Sequence, residues 1–276
     1  MDSRAFDIEG FLRDADRCYR ELRGDEVVRF FEEALLRARA CGSADAVIVV
    51  ANEFGSVART RGELGRAREL YREALSLLER RPGEVPVRSR ASLLLNYGDV
   101  CVAQGSFAEA VELFDAAEAL LADEPECFYE RSAICNNRSS AWRGLGRMAD
   151  ARRDLECAVD LLERVPGSAG ARAVARVNLA QLLIDEGRLD AAERALAPAL
   201  EAFLTLSVGR DIHRPNAFAA AGQLRMLQGR YAEAAVCYRE AARSLADKVG
   251  ASENVERLRA AGSRAARLAG WEDGAS

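Results

Sequence analysis

Residues 91–120 run ASLLLNYGDVCVAQGSFAEAVELFDAAEAL, and Gly105 divides the stretch into two helix-like halves. Gly98 stands seven residues before Gly105, while Ala110, Phe114 and Ala117 follow it at five, nine and twelve. The same spacing recurs along the chain. Glycines fall at Gly62, Gly105, Gly146, Gly187 and Gly229, in steps of 43, 41, 41 and 42. Five residues after each comes an alanine: Ala67, Ala110, Ala151, Ala192, Ala234. A bulky residue follows at nine (Tyr71, Phe114, Leu155, Leu196, Tyr238) and a second alanine at twelve (Ala74, Ala117, Ala158, Ala199, Ala241). Phe31 and Ala34 extend the last two columns backwards. A period of this length is the mark of an array whose units bury their apolar faces only by stacking on one another.

Each period predicts two antiparallel helices, A and B, joined by a tight turn. The glycine supplies the left-handed conformation that ends helix A. Helix B of the second pair is expected from Leu64 to Arg80. Breakers mark the longer connectors: Arg81-Pro82-Gly83 to Pro86, Asp123-Glu124-Pro125, Val165-Pro166-Gly167 and His213-Arg214-Pro215. Pro215 falls in or near a helix's first turn, where proline is tolerated. Small residues seven before each turn glycine (Gly55, Gly98, Ser139, Ala180, Gly222) allow helix backbones to approach closely. The expectation is an all-α, right-handed superhelical solenoid of about six helix pairs in one domain, residues 1–276. Residues 5–40 form a degenerate first repeat with a displaced glycine, Gly24; 41–248 hold five clear repeats, 252–270 a capping helix and 271–276 a tail.

Composition fits this picture: 49% hydrophobic, 30% charged and only 7% aromatic, with a formal net charge of −5. The acidic balance argues against a broad basic nucleic-acid surface. Lys248 is the one lysine, so nearly all positive charge is arginine. Seven scattered cysteines, without a C-x-x-C, suit buried free thiols in a reducing cytoplasm. The first residues, MDSRAFDIEGFLRDADRC, lack the pattern of a signal peptide, and no apolar run is long enough to span a bilayer.

The small residue, the turn glycine and the A-x(3)-[YFL]-x(2)-A columns resemble the tetratricopeptide repeat, over roughly 40–248 well and 5–40 weakly. The period exceeds the family's usual thirty-four, so the helices are longer than standard. Such long repeats resemble those of kinesin light chain, cell-polarity adaptors and peptide-sensing bacterial regulators. The segment Cys135-Asn136-Asn137-Arg138-Ser139-Ser140-Ala141-Trp142 is similar to a kinesin light chain helix, and the whole chain resembles bacterial stand-alone proteins of this repeat type. The resemblance implies ligand binding on the concave face and names no ligand.

Helical geometry places residues 16, 13, 9, 6 and 2 before each turn glycine on that face. Asn96, Asn137 and Asn178 occupy one equivalent offset, with Asn52 beside it in the preceding pair. An asparagine amide offers donor and acceptor together. A ladder of them suits capture of an extended backbone, and it equally suits bridges between neighbouring A helices. Asp99, Ser140, Gln181, Asp185, Asn216, Gln223 and His213 share the face, with Arg59 and Arg143 on its flank. The face carries Glu53, Asp99, Glu130 and Asp185 and no lysine or arginine, so the expected partner is a protein or peptide segment neutral or basic at its centre. Arg90, Arg131, Arg172 and Arg214 lie off the face and suit ion pairs between repeats.

A catalytic reading has one foothold, Asp211-x-His213, for which a helix cap followed by a groove histidine is the simpler account. The cysteines and the single histidine lack zinc-ligand spacing, and no phosphate-binding glycine motif occurs, so no metal or cofactor is expected. The expected function is a non-enzymatic scaffold or adaptor. A peptide-sensing regulator and a self-assembling oligomer stand as alternatives, and monomer and homodimer both remain open. An apolar N-terminal face with Phe6, Phe11 and Leu12 is the feature that would favour assembly.

Overall fold

The structure is a computed structural model, and it describes residues 6–21, 24–80, 85–124, 126–205 and 213–271. Among these there are thirteen helices and no strand: α1 (Ile8–Glu21), α2 (Asp25–Ala40), α3 (Ala44–Thr60), α4 (Leu64–Arg80), α5 (Val87–Ala103), α6 (Phe107–Leu120), α7 (Phe128–Gly144), α8 (Met148–Glu163), α9 (Ala169–Asp185), α10 (Leu189–Thr205), α11 (Arg214–Leu227), α12 (Tyr231–Val249) and α13 (Glu253–Leu268). The fold is an all-α helical repeat. Helix α4 has the bounds its columns predict, and α13 occupies the expected capping position.

The turn chemistry follows the sequence. Gly62 and Gly105 have φ of 79° and 75°, a region closed to most side chains, and the backbone N–H after each bonds back into the last turn of helix A. Ser43 caps α3 by accepting from the Ala46 N–H at 3.2 Å, and Pro215 sits in the first turn of α11. Pro198 lies inside α10, which continues through it to Thr205. The connector residues Arg81, Pro82, Gly83 and Pro125, and Asp211 of the Asp-x-His pair, lie outside the described residues.

The chain forms two compact units, Met1–Arg147 and Met148–Ser276. In the first, α3, α5 and α7 touch one another in succession, and each B helix also packs on the next A helix. Its core is a ladder of the repeat columns, with Phe31, Tyr71 and Phe114 fully buried. Burial of one such ring stabilises by roughly 1.5–3 kcal/mol. In the second unit α9 packs on α10 and α11 around Ala180, Leu196, Phe203 and Leu224, and α12 packs on α11 and α13, the latter around Ala234, Ala235 and Ala265.

The glycines seven before the turn are there for neighbouring rings. A Cβ on Gly98 would lie 2.6 Å from the Phe114 ring, and one on Gly55 or Gly222 would strike Tyr71 or Tyr238. In α9 and α10 the same two columns hold Ala180 and Leu196, both buried in one cluster. Glycine thus stands opposite a ring and alanine opposite leucine.

The N-terminal face is more closed than the sequence suggests. Phe11 is only 5% exposed and stacks on Phe30 at 6.0 Å, while Phe6 packs against it at 5.9 Å. Of the three residues expected there, Leu12 is the exposed one.

Candidate functional site

In the first unit the polar stripes of α3, α5 and α7 meet through side-chain hydrogen bonds. Asn96 of α5 donates its amide N–H to the Asn52 carbonyl of α3 at 3.0 Å. Asn52 in turn donates to the Glu53 carboxylate at 3.2 Å, and its backbone carbonyl accepts from the Tyr71 hydroxyl at 3.3 Å. Across the next gap Asn137 of α7 donates to Asp99 of α5 at 2.8 Å and accepts from Asn136 at 3.1 Å. The bonded groups sit at different offsets from their turn glycines, Asn96 at nine with Asn52 at ten and Asn137 at nine with Asp99 at six, and they meet because neighbouring A helices pack close enough for short side chains to span.

The amides are therefore bridges between A helices, the second of the two roles their spacing allows. They are not exhausted by it. An amide carries two N–H donors and two acceptor lone pairs. Asn96 spends one donor and Asn137 one donor and one acceptor, and both residues are half-buried. A backbone laid along the stripe would find a donor and an acceptor on each.

Asp99 is the electrostatic centre. Burial pushes its carboxyl up to about 6, against the opposing pull of the Arg59 guanidinium and the Asn137 hydrogen bond. Its second carboxylate oxygen has no hydrogen-bond partner among the described residues. Arg59, at the end of α3, lies close enough to act on both Asp99 and Tyr71, and its Nε is buried without a hydrogen-bond partner. Arg143 is half-buried at the end of α7, where Ser140 is exposed. Glu130 of α7 is engaged by Arg88 of α5 at 3.4 Å.

Helix α1 closes one side of the stripe. The Tyr19 hydroxyl donates to the Glu53 carboxylate at 3.2 Å, and burial followed by the Glu53 charge raises its pKa. Beside it lies a cleft of about 260 Å³ lined by Tyr19, Val27, Ser56, Val57, Thr60 and Arg61. The sequence columns miss Tyr19 because the displaced Gly24 hides the register of the first pair. Asn136 is missed because it lies one residue off the predicted stripe.

In the second unit Gln181 of α9 donates to Gln223 of α11 at 3.0 Å and to Asp185 at 3.1 Å, a bridge of the same kind. Asn178 is half-buried on α9, and Asn216 is exposed on α11. His213 is exposed at the start of α11, where its carbonyl accepts from the Ala217 N–H at 3.1 Å. Arg214 pairs with Glu240 at 2.8 Å and reaches the Phe203 carbonyl at 3.3 Å, so this member of the arginine column ties helices together. Among the described residues no group of three or more His, Cys, Asp or Glu is placed to hold a metal ion, and no helix is long and apolar enough to cross a membrane.

No family model matches the chain, and no curated protein is significantly similar to it. Solved structures are similar to it in fold. BtubC (BKLC) from P. vanneervenii is 20% identical, with a TM-score of 0.66 over 90% of this chain and 94% of that one. A kinesin light chain protein of nearly identical TPR-like repeats from Podospora anserina is 20% identical, with a TM-score of 0.59 over 71% of this chain and 93% of its own. The pilF protein of Pseudomonas aeruginosa is 18% identical, with a TM-score of 0.58 over 92% and 96%. The chain has the tetratricopeptide-type repeat fold that its columns resemble.

Proposed function

We propose that the chain is a non-enzymatic protein-binding scaffold whose A-helix face captures an extended segment of a partner protein. The observation that carries this reading is the half-buried amide stripe of α3, α5 and α7. Its side chains are fixed helix to helix, yet Asn96 and Asn137 keep unspent donors and acceptors. Groups held in place by second bonds lose little freedom on binding, which favours affinity. Main-chain capture by such groups gives binding with little dependence on side chains. The carboxylates Glu53 and Asp99 favour a segment that is neutral or basic where it crosses α5. Ser140 and Arg143 belong to the same candidate surface of the first unit, and Asn178, Gln181, Asp185, Asn216, Gln223 and His213 are the candidate residues of the second unit, taken by itself.

The test is capture of partners from the native host by the full chain, in parallel with an Asn96→Ala/Asn137→Ala variant shown to be folded. Partners retained by the wild type and lost by the variant support the reading. The same partners on both would remove the stripe from the binding surface. Turnover abolished by His213→Ala would replace the scaffold reading with an enzyme.

A further inference from the structure

The cleft beside Tyr19 and the carboxylate of Asp99 lie on the same face of the first unit and have opposite chemistry. The cleft has the Tyr19 ring, Val27 and Val57 as walls and Thr60 at its edge. Its volume of about 260 Å³ exceeds that of one aliphatic or aromatic side chain. The one charged residue lining it, Arg61, is already held by Asp25 at 3.0 Å, Glu63 at 2.8 Å and the Gly24 carbonyl at 3.0 Å. The lining therefore offers an incoming side chain apolar contact without a free charge. Ser56 and Thr60 belong to the α3 stripe, so the cleft is continuous with the face that carries the amides.

At Asp99 the chemistry is that of a cation acceptor. One oxygen takes the Asn137 N–H, and the other has no hydrogen-bond partner among the described residues. The charged group that acts on it is Arg59 of α3, beside the Asn137 amide of α7, and the Tyr71 hydroxyl of α4 lies near enough to feel both Asp99 and Arg59. Around that hydroxyl two carboxylates, Asp99 and Glu53, stand against one guanidinium, Arg59, so this part of the face carries an excess of negative charge. The burial that raises this carboxyl also strengthens its attraction for a cation placed against it.

We propose that this face recognises a two-point motif: a branched aliphatic or aromatic side chain seated beside Tyr19, and a lysine or arginine three or four residues away on Asp99. The proposal rests on the reading of the face as a segment-binding surface. The spacing comes from packing. Neighbouring helices lie roughly 8–10 Å apart, and the cleft is on the α1 side of α3 while Asp99 is on α5, which puts the two points roughly 10–14 Å apart. An extended chain covers that span in three or four residues at about 3.3 Å each. The amides of Asn52 and Asn96 lie about one turn N-terminal of Ser56 and Asp99 on the same helices and would hold backbone flanking the motif.

The experiment is selection of a random library of nine-residue peptides displayed on phage against the full-length chain. Three variants are selected in parallel, each checked by circular dichroism to be fully helical and folded at pH 7.5: Thr60→Trp to fill the cleft, Asp99→Asn to remove the charge, and Ser56→Leu as a second cleft-filling change. Wild type is expected to enrich an apolar residue paired with a basic one at the stated spacing, with synthetic peptides of that motif binding at least tenfold more tightly than versions with either residue replaced by alanine. Thr60→Trp and Ser56→Leu are expected to keep the basic preference and lose the apolar one, and Asp99→Asn the reverse. Enriched peptides without the motif, or variants that select the wild-type motif unchanged, would overturn the two-point proposal while leaving segment binding intact. Failure to enrich any peptide above a bait-free control would overturn both.

Discussion

Asn137 of α7 donates its amide N–H to the Asp99 carboxylate of α5 at 2.8 Å, so a neutral donor from one A helix holds a half-buried acid on the next. The pairing makes the stripe both structure and surface. A carboxylate withdrawn from water needs hydrogen bonds to stay ionised, and among the described residues this one has a single side-chain donor. Stability and recognition are therefore coupled at these two residues, and substitutions here should move both.

Asn137→Ala removes the one side-chain donor that the described residues offer the Asp99 carboxylate. From the sequence alone the change looks nearly neutral for stability, since alanine is the better helix former. The Asp99 bond reverses that expectation. A loss of about 1–3 kcal/mol at neutral pH is expected, with a weaker hold on the partner segment. Urea unfolding at pH 7 measures it; a midpoint equal to wild type would show that the bond contributes nothing net.

Asp99 also sets a pH dependence. Its carboxyl titrates at about 6 in the folded chain, against about 3.9 for an unperturbed aspartate. The native state therefore binds more protons than the unfolded state between these values, and stability falls as pH rises through that window. The difference is on the order of 1–3 kcal/mol, present below about pH 4 and lost by about pH 6 to 7. Asp99→Asn removes this component. The midpoint of the variant minus that of wild type should rise between pH 4 and pH 7, and a flat difference would show that Asp99 titrates normally.

The repeat was legible because its columns are packing rules. Ala67, Tyr71 and Ala74 recur in phase with Gly62 because the same ring must fit the same gap in each pair. The face was legible in outline too, since offsets from the turn glycine select Asn96, Asn137 and Asp99 together. The partners of those side chains were not. An asparagine at a groove position has the same spacing whether it waits for a ligand or reaches the next helix, and only the distances of 3.0 Å and 2.8 Å tell these apart. Tyr19 escaped notice for another reason. Its pair lacks the turn glycine in register, and without it no offset could be counted.

Arg138 of α7 is 11% exposed and donates to both Asp115 at 2.7 Å and Glu118 at 2.6 Å on α6. Both bonds leave one terminal nitrogen, Nη1, at the end of a side chain longer than lysine's, so a lysine ammonium would have to reach further to serve both acids. Arg138→Lys should cost about 1 kcal/mol, and Arg138→Ala about 1–3 kcal/mol, because two acids lose a shared cation. Denaturant midpoints of the two variants give the ranking; equal midpoints would make the pair geometry irrelevant.

The glycine-to-ring relation gives the sharpest test of how the columns encode the fold. At Gly98 a methyl group would lie 2.6 Å from the fully buried Phe114 ring, which has no solvent to move into. Overpacking of this kind costs about 1–3 kcal/mol. In helix-propensity terms the same change should help, by about 1 kcal/mol, so a net loss isolates the steric effect. The chain supplies its own control, since Ala180 and Leu196 occupy these columns in α9 and α10. Phe114→Leu alone should destabilise, by loss of buried area and an unfilled gap beside Gly98. Combined with Gly98→Ala, the methyl group fills part of that gap. The double variant is then expected to be more stable than the sum of the single losses predicts, by about 1 kcal/mol or more. Measuring all four corners of the cycle by urea unfolding decides it. Simple additivity would mean that the small residue and the ring are not packed against each other, and that the column spacing reflects something other than their contact.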